Sequence, residues 1–321
     1  ISGMSMKFFG TGEYPYRTVL RKKTSESVPF NLDRAGYRSF VIHNNTATFY
    51  KRYEVFPMLG FDHFDSMEYM NDLSFNKIGW ARDKVLTGEI LKALNSDENR
   101  NFIYTITVQS HGDYPDEKAE SNRIKAVPSS EDLAFPDKVY PSLAGYVNSI
   151  EYYANQLYQT DQFIGELTKK LSEFGEPVVV VFYGDHLPPL SLEQKDITID
   201  RHSTEYVMWS NFKMNQIRRD LSAYQLSAYV LDRLGMEDGI LTKFHQRSVS
   251  DPDYEKDLKL LQYDLLYGKK YVYEKKNPNK KTDMTMGINQ PEIKDISKKG
   301  DNLVLTGSNF TESSVVTADG K

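Results

Sequence analysis

One stretch of the chain reads Pro177-Val178-Val179-Val180-Val181-Phe182-Tyr183-Gly184-Asp185-His186. Its apolar part has no alternation, which predicts a strand covered on both faces, as in the centre of a parallel sheet. Gly184 permits a sharp turn, so Asp185 and His186 stand at the carboxyl end of this strand. Open α/β sheets bind ligands at that edge. The stretch therefore predicts an α/β fold and a ligand-binding site at the end of this strand.

Helix and strand patterns alternate on both sides of this stretch. Further strands are predicted at residues 39–42, 101–108 and 205–209, and helices at 30–34, 83–94, 142–174, 220–234, 237–246 and 252–267. Such an order indicates an α/β fold, with a mixed, mostly parallel sheet flanked by helices.

The composition excludes several classes of site and partner. The 321 residues include no cysteine, which excludes disulfides, thiolate metal sites and a cysteine nucleophile. The net charge is −5, so no electrostatic argument favours nucleic acid as a partner. No stretch approaches the roughly 18 consecutive apolar residues of a membrane-spanning helix, and no signal peptide is visible at the start.

The composition changes near residue 274. A basic stretch rich in proline and asparagine, residues 275–281, reads as a linker. Short apolar runs between glycine and asparagine turns then predict a small β module. We expect a catalytic domain at 1–274, a linker at 275–289 and a partial immunoglobulin-like β module at 290–321.

The strongest candidate for chemistry is the pair Asp185 and His186. A carboxylate and an adjacent imidazole are suited to Mn²⁺ or Zn²⁺. In the alternative reading, Asp185 caps the following turn and His186 is hydrogen-bonded nearby. Their place after the most apolar strand, and before the strand-ending Leu187-Pro188-Pro189, favours the metal site.

Other polar residues follow other predicted strands. His111 follows the strand at 101–108, either as a structural residue or in substrate binding or proton transfer. His43 follows the strand at 39–42, and with Tyr50 and Arg52 it suggests anion binding, because a guanidinium matches phosphate oxygens in pairs. In the alternative, Tyr50 and Arg52 lie on a helix surface.

Three further histidines carry weaker signals. His202 precedes the strand at 205–209 and fits a structural or a functional role equally. His63 and His245 are expected to be structural.

The motifs, in this order, resemble the lipoteichoic acid synthase and membrane phosphoglycerol transferase family of the sulfatase/alkaline-phosphatase superfamily. The similarity covers roughly residues 1–270. It is carried by Gly36-Tyr37, Ile42-His43, Phe49-Tyr50-Lys51-Arg52, Leu59-Gly60-Phe61-Asp62, Gln109-Ser110-His111 and Gly184-Asp185-His186. The family places an aromatic residue and an arginine after its first histidine, at the offsets of Tyr50 and Arg52 from His43.

The resemblance implies a role for each matched residue. Asp185 and His186 would bind a catalytic Mn²⁺, with Zn²⁺ or Mg²⁺ as alternatives. The group formed by His43, Tyr50 and Arg52 would hold the glycerol-phosphate group. His111 would bind the phosphoryl group or act as general acid for the leaving alkoxide.

The resemblance also implies residues that this sequence does not contain. The family's threonine nucleophile and a metal-binding glutamate would precede Ile1, so we expect this chain to carry half of the metal site and to be inactive alone. Membrane helices are likewise expected upstream, on a protein at the extracellular face of a bacterial membrane.

The implied reaction has two steps. A phosphatidylglycerol-type lipid would give phosphoglycerol to the nucleophile, and a glycan or polymer acceptor would then take it. Two rival functions share these residues: hydrolysis by a sulfatase or phosphodiesterase, and non-catalytic binding of glycerol-phosphate polymers.

Overall fold

The computed structural model of the chain describes residues 1–96, 99–119, 123–128, 136–191, 198 and 200–317. The strands are β1 (Tyr37–His43), β2 (His63–Ser66), β3 (Arg100–Ile106), β4 (Val179–Tyr183), β5 (Tyr206–Ser210), β6 (Thr285–Met286), β7 (Glu292–Lys299) and β8 (Asn302–Ser308). The α-helices are α1 (Val28–Asp33), α2 (Arg52–Val55), α3 (Val85–Leu94), α4 (Leu143–Ser172), α5 (Leu226–Arg233), α6 (Ile240–Ser248) and α7 (Tyr254–Leu266).

The chain divides into two compact units. The first unit contains Ile1–Asn71, Gly88–Ile106 and Arg218–Lys321, and the second contains Asp72–Thr87 and Thr107–Ile217. His43, Tyr50 and Arg52 belong to the first unit. The other candidate residues, His111, Asp185 and His186, belong to the second.

The first unit is built on a parallel sheet. Its strand order is β3-β1-β2-β6, and every pairing in it is parallel. The central strand β1 is buried on both faces, with Phe40, Val41 and Ile42 almost inaccessible to solvent, as expected for a strand with few polar side chains. Because the strands are parallel, β1 and β2 end together, and His43 lies opposite Ser66.

The core of the first unit combines aromatic and aliphatic side chains from several elements. Phe56 contacts Phe61 and Phe64 edge to face, at centroid distances of 5.5 and 4.9 Å. Leu266 of α7 belongs to the same cluster, so the C-terminal helix packs with the core of the sheet. Burial of such side chains contributes about 1.5 to 3 kcal/mol each.

The second unit contains the longest helix, α4. Ser142 caps its first turn by accepting a hydrogen bond from the Gly145 amide at 3.1 Å. Near its other end, the Asn211 side-chain amide donates to the carbonyl oxygens of Leu171 and Glu176 at 3.1 and 2.8 Å. This amide ties the end of α4 to the β4–β5 pair.

The strand predicted at 177–183 is present as β4, but its predicted place in a parallel sheet is wrong. In the described residues β4 pairs with β5 alone, and that pairing is antiparallel. Four of its five residues are only half buried and Tyr183 is exposed. An apolar run predicts that a strand forms, whereas its burial, its partner and its direction depend on distant segments.

The predicted linker at 275–289 includes β6, whose Thr285 and Met286 pair with His63 and Phe64. After it, β7 and β8 form an antiparallel hairpin, which agrees with the predicted strands of the C-terminal β module. Within the described ranges, no helix combines the length and hydrophobicity that a bilayer crossing requires.

Candidate functional site

His43 is the last residue of β1 and is 1% exposed. Its Nδ1 lies 2.8 Å from the Ile106 carbonyl oxygen, and its Nε2 contacts Nη1 of Arg52. A carbonyl can only accept and a guanidinium can only donate. The proton therefore sits on Nδ1, and the ring is neutral.

The lowered pKa of His43 agrees with a neutral ring. Burial, and secondly the charge of Arg52, lower the pKa of His43 to about 3, although the Ile106 carbonyl acts in the opposite direction. At neutral pH this ring cannot exchange protons with a substrate. Its contact with Nη1 of Arg52 holds the guanidinium in place.

Arg52 is a partly buried cation surrounded by aromatic rings. Its Cζ lies 5.2 Å from the centroid of Phe49 and 5.8 Å from that of Tyr50. Burial lowers its pKa, and the neighbouring Tyr16 and Tyr104 act the other way. Among the described residues no carboxylate lies within ion-pair distance of Arg52, so its charge is not compensated by an acidic side chain.

Tyr50 owes its position to an unusual backbone. Tyr50 and Lys51 both have left-handed conformations, with φ of 52° and 54°, which non-glycine residues rarely adopt. Strained backbone of this kind concentrates at binding sites. Tyr50 is 45% exposed, although Arg52 and Arg17 both lie near its ring, at 5.8 and 5.3 Å from the centroid. The predicted trio of His43, Tyr50 and Arg52 is thus brought together.

In the second unit a buried amide network holds the loop before His111. Gln109 and Asp83 bond reciprocally: the Asp83 amide donates to Oε1 of Gln109 at 2.8 Å, and the Gln109 amide donates to Oδ1 of Asp83 at 3.3 Å. The Gln109 side chain also donates to Gln156 and Gln159 of α4. Gln109 is therefore a positioning residue for the loop.

His111 and His186 lie near each other, with ring centroids 6.5 Å apart. Nδ1 of each ring lies within hydrogen-bond distance of a neighbouring carbonyl, Gly112 at 2.6 Å for His111 and Leu187 at 2.8 Å for His186. These bonds leave Nε2 of both rings as the lone-pair nitrogen in the neutral form. Both histidines are exposed, so they can meet a ligand, in contrast to His43.

Asp185 and His186 have the donor types and spacing for a metal ion. Asp185 Oδ2 lies 3.5 Å from His186 Nε2, and two ligands bound at about 2.1 Å to one ion lie about 3 Å apart. Among the described residues, no group of three or more His, Cys, Asp or Glu side chains is arranged around one point. The pair therefore fits part of a coordination shell.

The remaining histidines occupy structural positions or an exposed turn. His63 stacks on Phe40 at 4.8 Å, and both nitrogens of the buried His245 contact polar groups, the Tyr254 hydroxyl and the Gly3 carbonyl, at 2.7 Å. Their predicted structural roles agree with these contacts. His202 lies in an exposed turn, where its amide donates to Asp200.

Several residues of these clusters were not predicted from the sequence. Trp80 lies 5.3 Å from the His111 ring and donates from Nε1 to the Gly112 carbonyl at 3.3 Å. Asp83 and Tyr16 were likewise not predicted to belong to these clusters. The aromatic-rich stretch around Tyr16 was a signal for the last, whereas nothing local marks Trp80 or Asp83.

We expect Gly112→Ala to destabilise the second unit by about 1 to 3 kcal/mol through overpacking. A Cβ at Gly112 would lie 2.7 Å from Cγ of Pro189, in the segment that follows His186. Urea unfolding measures the loss. The matched control is Gly165→Ala in α4, where a Cβ meets nothing within 4 Å and the change should stabilise the helix by about 0.5 to 1 kcal/mol. Equal stabilities of the two variants would contradict the close approach.

Comparison with known proteins gives consistent matches. The family model described as sulfatase matches residues 1–236. A cyclic β-1,2-glucan modification protein of Rhizobium meliloti is 28% identical over 86% of this chain and 48% of its own length. The lipoteichoic acid synthase of Staphylococcus saprophyticus is 26% identical over 57% of this chain and 26% of its own length.

A solved structure supports the fold. The phosphoglycerol transferase GacH of Streptococcus pyogenes, in complex with sn-glycerol-1-phosphate, superposes with a TM-score of 0.69 at 20% identity, over 85% of this chain and 73% of that chain. This likeness confirms the predicted mixed α/β fold. The sequence matches confirm the resemblance inferred from the motifs, and the chain spans about half, or less, of the curated relatives it matches.

Proposed function

This chain belongs to the sulfatase family, and we propose that it transfers phosphoglycerol from a phosphatidylglycerol-type lipid to a glycan or polymer acceptor of the bacterial cell envelope. The observation that carries the proposal is Arg52, a partly buried cation held by His43 and enclosed by aromatic rings. A desolvated guanidinium without a carboxylate partner favours binding of an anion.

The chemistry of the first unit suits a phosphate ester of a small polyol. Arg52 can donate two parallel hydrogen bonds to phosphate oxygens, and neutral His43 holds it without adding charge. The exposed face of Tyr50 offers an apolar wall for the carbon atoms of glycerol. The three residues are proposed to bind the phosphoglycerol group.

The second unit supplies the groups for proton transfer and metal binding. We assign Asp185 and His186 as ligands of a divalent cation, with Mn²⁺ first and Zn²⁺ or Mg²⁺ as alternatives. Such an ion, when bound, neutralises charge on phosphate oxygens and lowers the pKa of a hydroxyl nucleophile. His111, when protonated at Nε2, can donate that proton to the oxygen of the departing diacylglycerol.

The proposed reaction has two steps, and each step forms one bond to phosphorus and breaks another. A hydroxyl of the enzyme forms a bond to phosphorus, the bond to the diacylglycerol oxygen breaks, and that oxygen receives a proton. An acceptor hydroxyl then forms a bond to the same phosphorus, the bond to the enzyme oxygen breaks, and the proton lost by the acceptor hydroxyl restores the enzyme hydroxyl. Positioning and charge neutralisation dominate phosphoryl transfer, and guanidinium and imidazole groups suit both tasks.

The relatives support the proposal by their names. A phosphoglycerol transferase shares the fold, and a lipoteichoic acid synthase is similar in sequence over 57% of this chain. In keeping with the family resemblance, we propose that this protein acts at the extracellular face of a bacterial membrane. Because this chain spans about half, or less, of the aligned relatives, activity tests should include a longer version, and we propose that the present chain alone is inactive.

The direct test is binding of sn-glycerol 1-phosphate by calorimetry. Arg52→Gln should weaken binding about 10- to 100-fold, because a hydrogen bond to a charged group is worth about 1.5 to 3 kcal/mol. The control is Lys259→Gln, which removes an exposed charge from α7. Unchanged affinity in Arg52→Gln would remove the basis of the proposal.

A second assay separates transfer from its rivals. Release of diacylglycerol from phosphatidylglycerol is followed with and without Mn²⁺, together with the fate of the phosphoglycerol group. Its appearance on an acceptor supports transfer, and its appearance as free product indicates a hydrolase. Binding without turnover in the extended protein would indicate a non-catalytic binder of glycerol-phosphate polymers.

A further inference from the structure

The loop that carries Tyr50 and Arg52 is closed on itself at Ala47. The Tyr53 amide donates to the Ala47 carbonyl at 3.4 Å, so residues 47–53 form a closed turn of backbone that contains both pocket side chains. Within it Tyr50 and the residue after it have left-handed conformations. Such conformations persist only where the surrounding structure holds them. The position of Ala47 therefore affects how Tyr50 and Arg52 are presented to a ligand.

Glu68 holds Ala47 from the neighbouring strand end. Strands β1 and β2 end together, with His43 opposite Ser66, so the loops that follow them meet. The Ala47 amide donates to both carboxylate oxygens of Glu68, at 3.1 and 3.2 Å. Ala47 is buried, and a hydrogen bond to a charged group is stronger than one between neutral groups. Glu68 thus fixes one side of the loop.

The charge of Glu68 does not explain its place beside this loop. In the part of the chain that the structure describes, no cation forms an ion pair with Glu68. A carboxylate bonded to the loop that carries Arg52 would, by its charge alone, weaken the binding of an anion there. The bonds to the Ala47 amide therefore indicate a positional role for Glu68.

The segment after β8 contacts Glu68 in turn. The Thr311 hydroxyl donates to the Glu68 carbonyl oxygen at 2.8 Å, and the Asn71 side-chain amide donates to the Phe310 carbonyl oxygen at 3.2 Å. Both bonds join the C-terminal β module to the turn that follows β2. A continuous set of hydrogen bonds therefore leads from Thr311 through Glu68 to Ala47, at the base of the loop that carries the proposed pocket.

We propose that Glu68 is a positioning residue for the phosphate-binding pocket, and that Thr311 of the C-terminal β module holds Glu68 in place. This proposal rests on the proposed function, because it concerns the pocket around Arg52. It makes the β module a structural part of the binding site, although the sequence predicts that module as a separate domain. Loss of either contact should let residues 47–53 leave their strained conformation, and the affinity for a phosphate ester should then fall.

The first test measures binding of sn-glycerol 1-phosphate to variants of Glu68 by calorimetry. Glu68→Ala should weaken binding about tenfold, whereas Glu68→Gln, which keeps one acceptor oxygen, should weaken it only about two- to threefold. A purely electrostatic role predicts the opposite sign, because removal of a negative charge near the pocket strengthens the binding of an anion. Tighter or unchanged binding in Glu68→Ala would overturn the proposal.

The second test uses a matched pair of substitutions at Thr311. Thr311→Val keeps the size of the side chain but lacks the hydroxyl, and it should weaken binding about fivefold. Thr311→Ser keeps the hydroxyl and should bind within about twofold of the wild type. The control is Glu312→Gln, which removes an exposed charge from the same segment and should match the wild type. Equal affinities of Thr311→Val and Thr311→Ser would overturn the role of the β module.

Two further readouts separate this role from general stability and from the proposed function. A merely structural role would lower the urea midpoint of Glu68→Ala and leave the affinity of the folded protein unchanged. Hydrogen exchange needs no ligand, and it should be faster at residues 44–53 in Thr311→Val than in Thr311→Ser. Unchanged affinity in Arg52→Gln would count against the proposed function alone, whereas unchanged exchange in Thr311→Val would overturn the positioning role.

Discussion

In a longer, active version of the protein, Asp185→Asn is expected to lower Mn²⁺-dependent release of diacylglycerol by about three orders of magnitude, the value of several kcal/mol of transition-state stabilisation. The change keeps the shape of the side chain and removes its charge. Asp185 is largely exposed, and its Oδ1 accepts a hydrogen bond from the His186 amide at 2.9 Å. The loss should therefore come from the site rather than from the fold.

Binding of Mn²⁺ provides a readout that does not depend on turnover. We expect Asp185→Asn to weaken Mn²⁺ binding in parallel with the loss of activity, and to leave the unfolding midpoint unchanged in metal-free buffer. Asp161→Asn, on the exposed side of α4, serves as the control and should match the wild type. Wild-type Mn²⁺ affinity in Asp185→Asn would contradict the assignment of this residue as a ligand.

The second large effect is a dependence of the free energy of unfolding on pH. His43 is buried and neutral with a pKa of about 3, whereas an unfolded histidine titrates near 6.5. Below about pH 6.5 this imidazole is protonated in the unfolded state but not in the folded state. The free energy of unfolding therefore falls as the pH falls. From pH 6 to pH 4 this single group should remove about 2 to 3 kcal/mol.

Urea unfolding of wild type and His43→Gln at several pH values measures this effect. The slope of the unfolding free energy against pH should be smaller in His43→Gln, whatever its absolute stability. Burial also lowers the pKa of His245, so His245→Gln should reduce the slope too. The exposed His202 provides the control, and a slope in His43→Gln equal to that of wild type would contradict a buried neutral ring.

The elements of the fold were largely predictable because they depend on local pattern. The helix α4 was recognisable from three-and-four spacing of its apolar residues, and β1 from its unbroken apolar run. Gly36 ends the turn before β1 with a φ of +79°, a conformation that favours glycine. Such signals are contained in a few consecutive residues.

The candidate residues were predictable for a related reason. Parallel strands end at one edge of a sheet, so a polar residue after an apolar strand, such as His43 after β1, marks that edge. The family resemblance then indicated Tyr50 and Arg52, and in the structure the Arg52 guanidinium lies 5.8 Å from the Tyr50 ring. The metal-binding roles of Asp185 and His186 stay predictions.

By itself the sequence determined most of the strands, the longer helices and the polar residues at the strand ends, because propensity and periodicity act over short distances. The short strands β2 and β6 were not predicted. Only the tertiary structure decided that β4 pairs antiparallel with β5, that His43 is a neutral ring held between Ile106 and Arg52, and that Arg17 lies on Tyr50. Each of these depends on the meeting of segments that are separated in the chain. Pairing, burial and the resulting electrostatics are properties of that packing and leave little trace in local sequence.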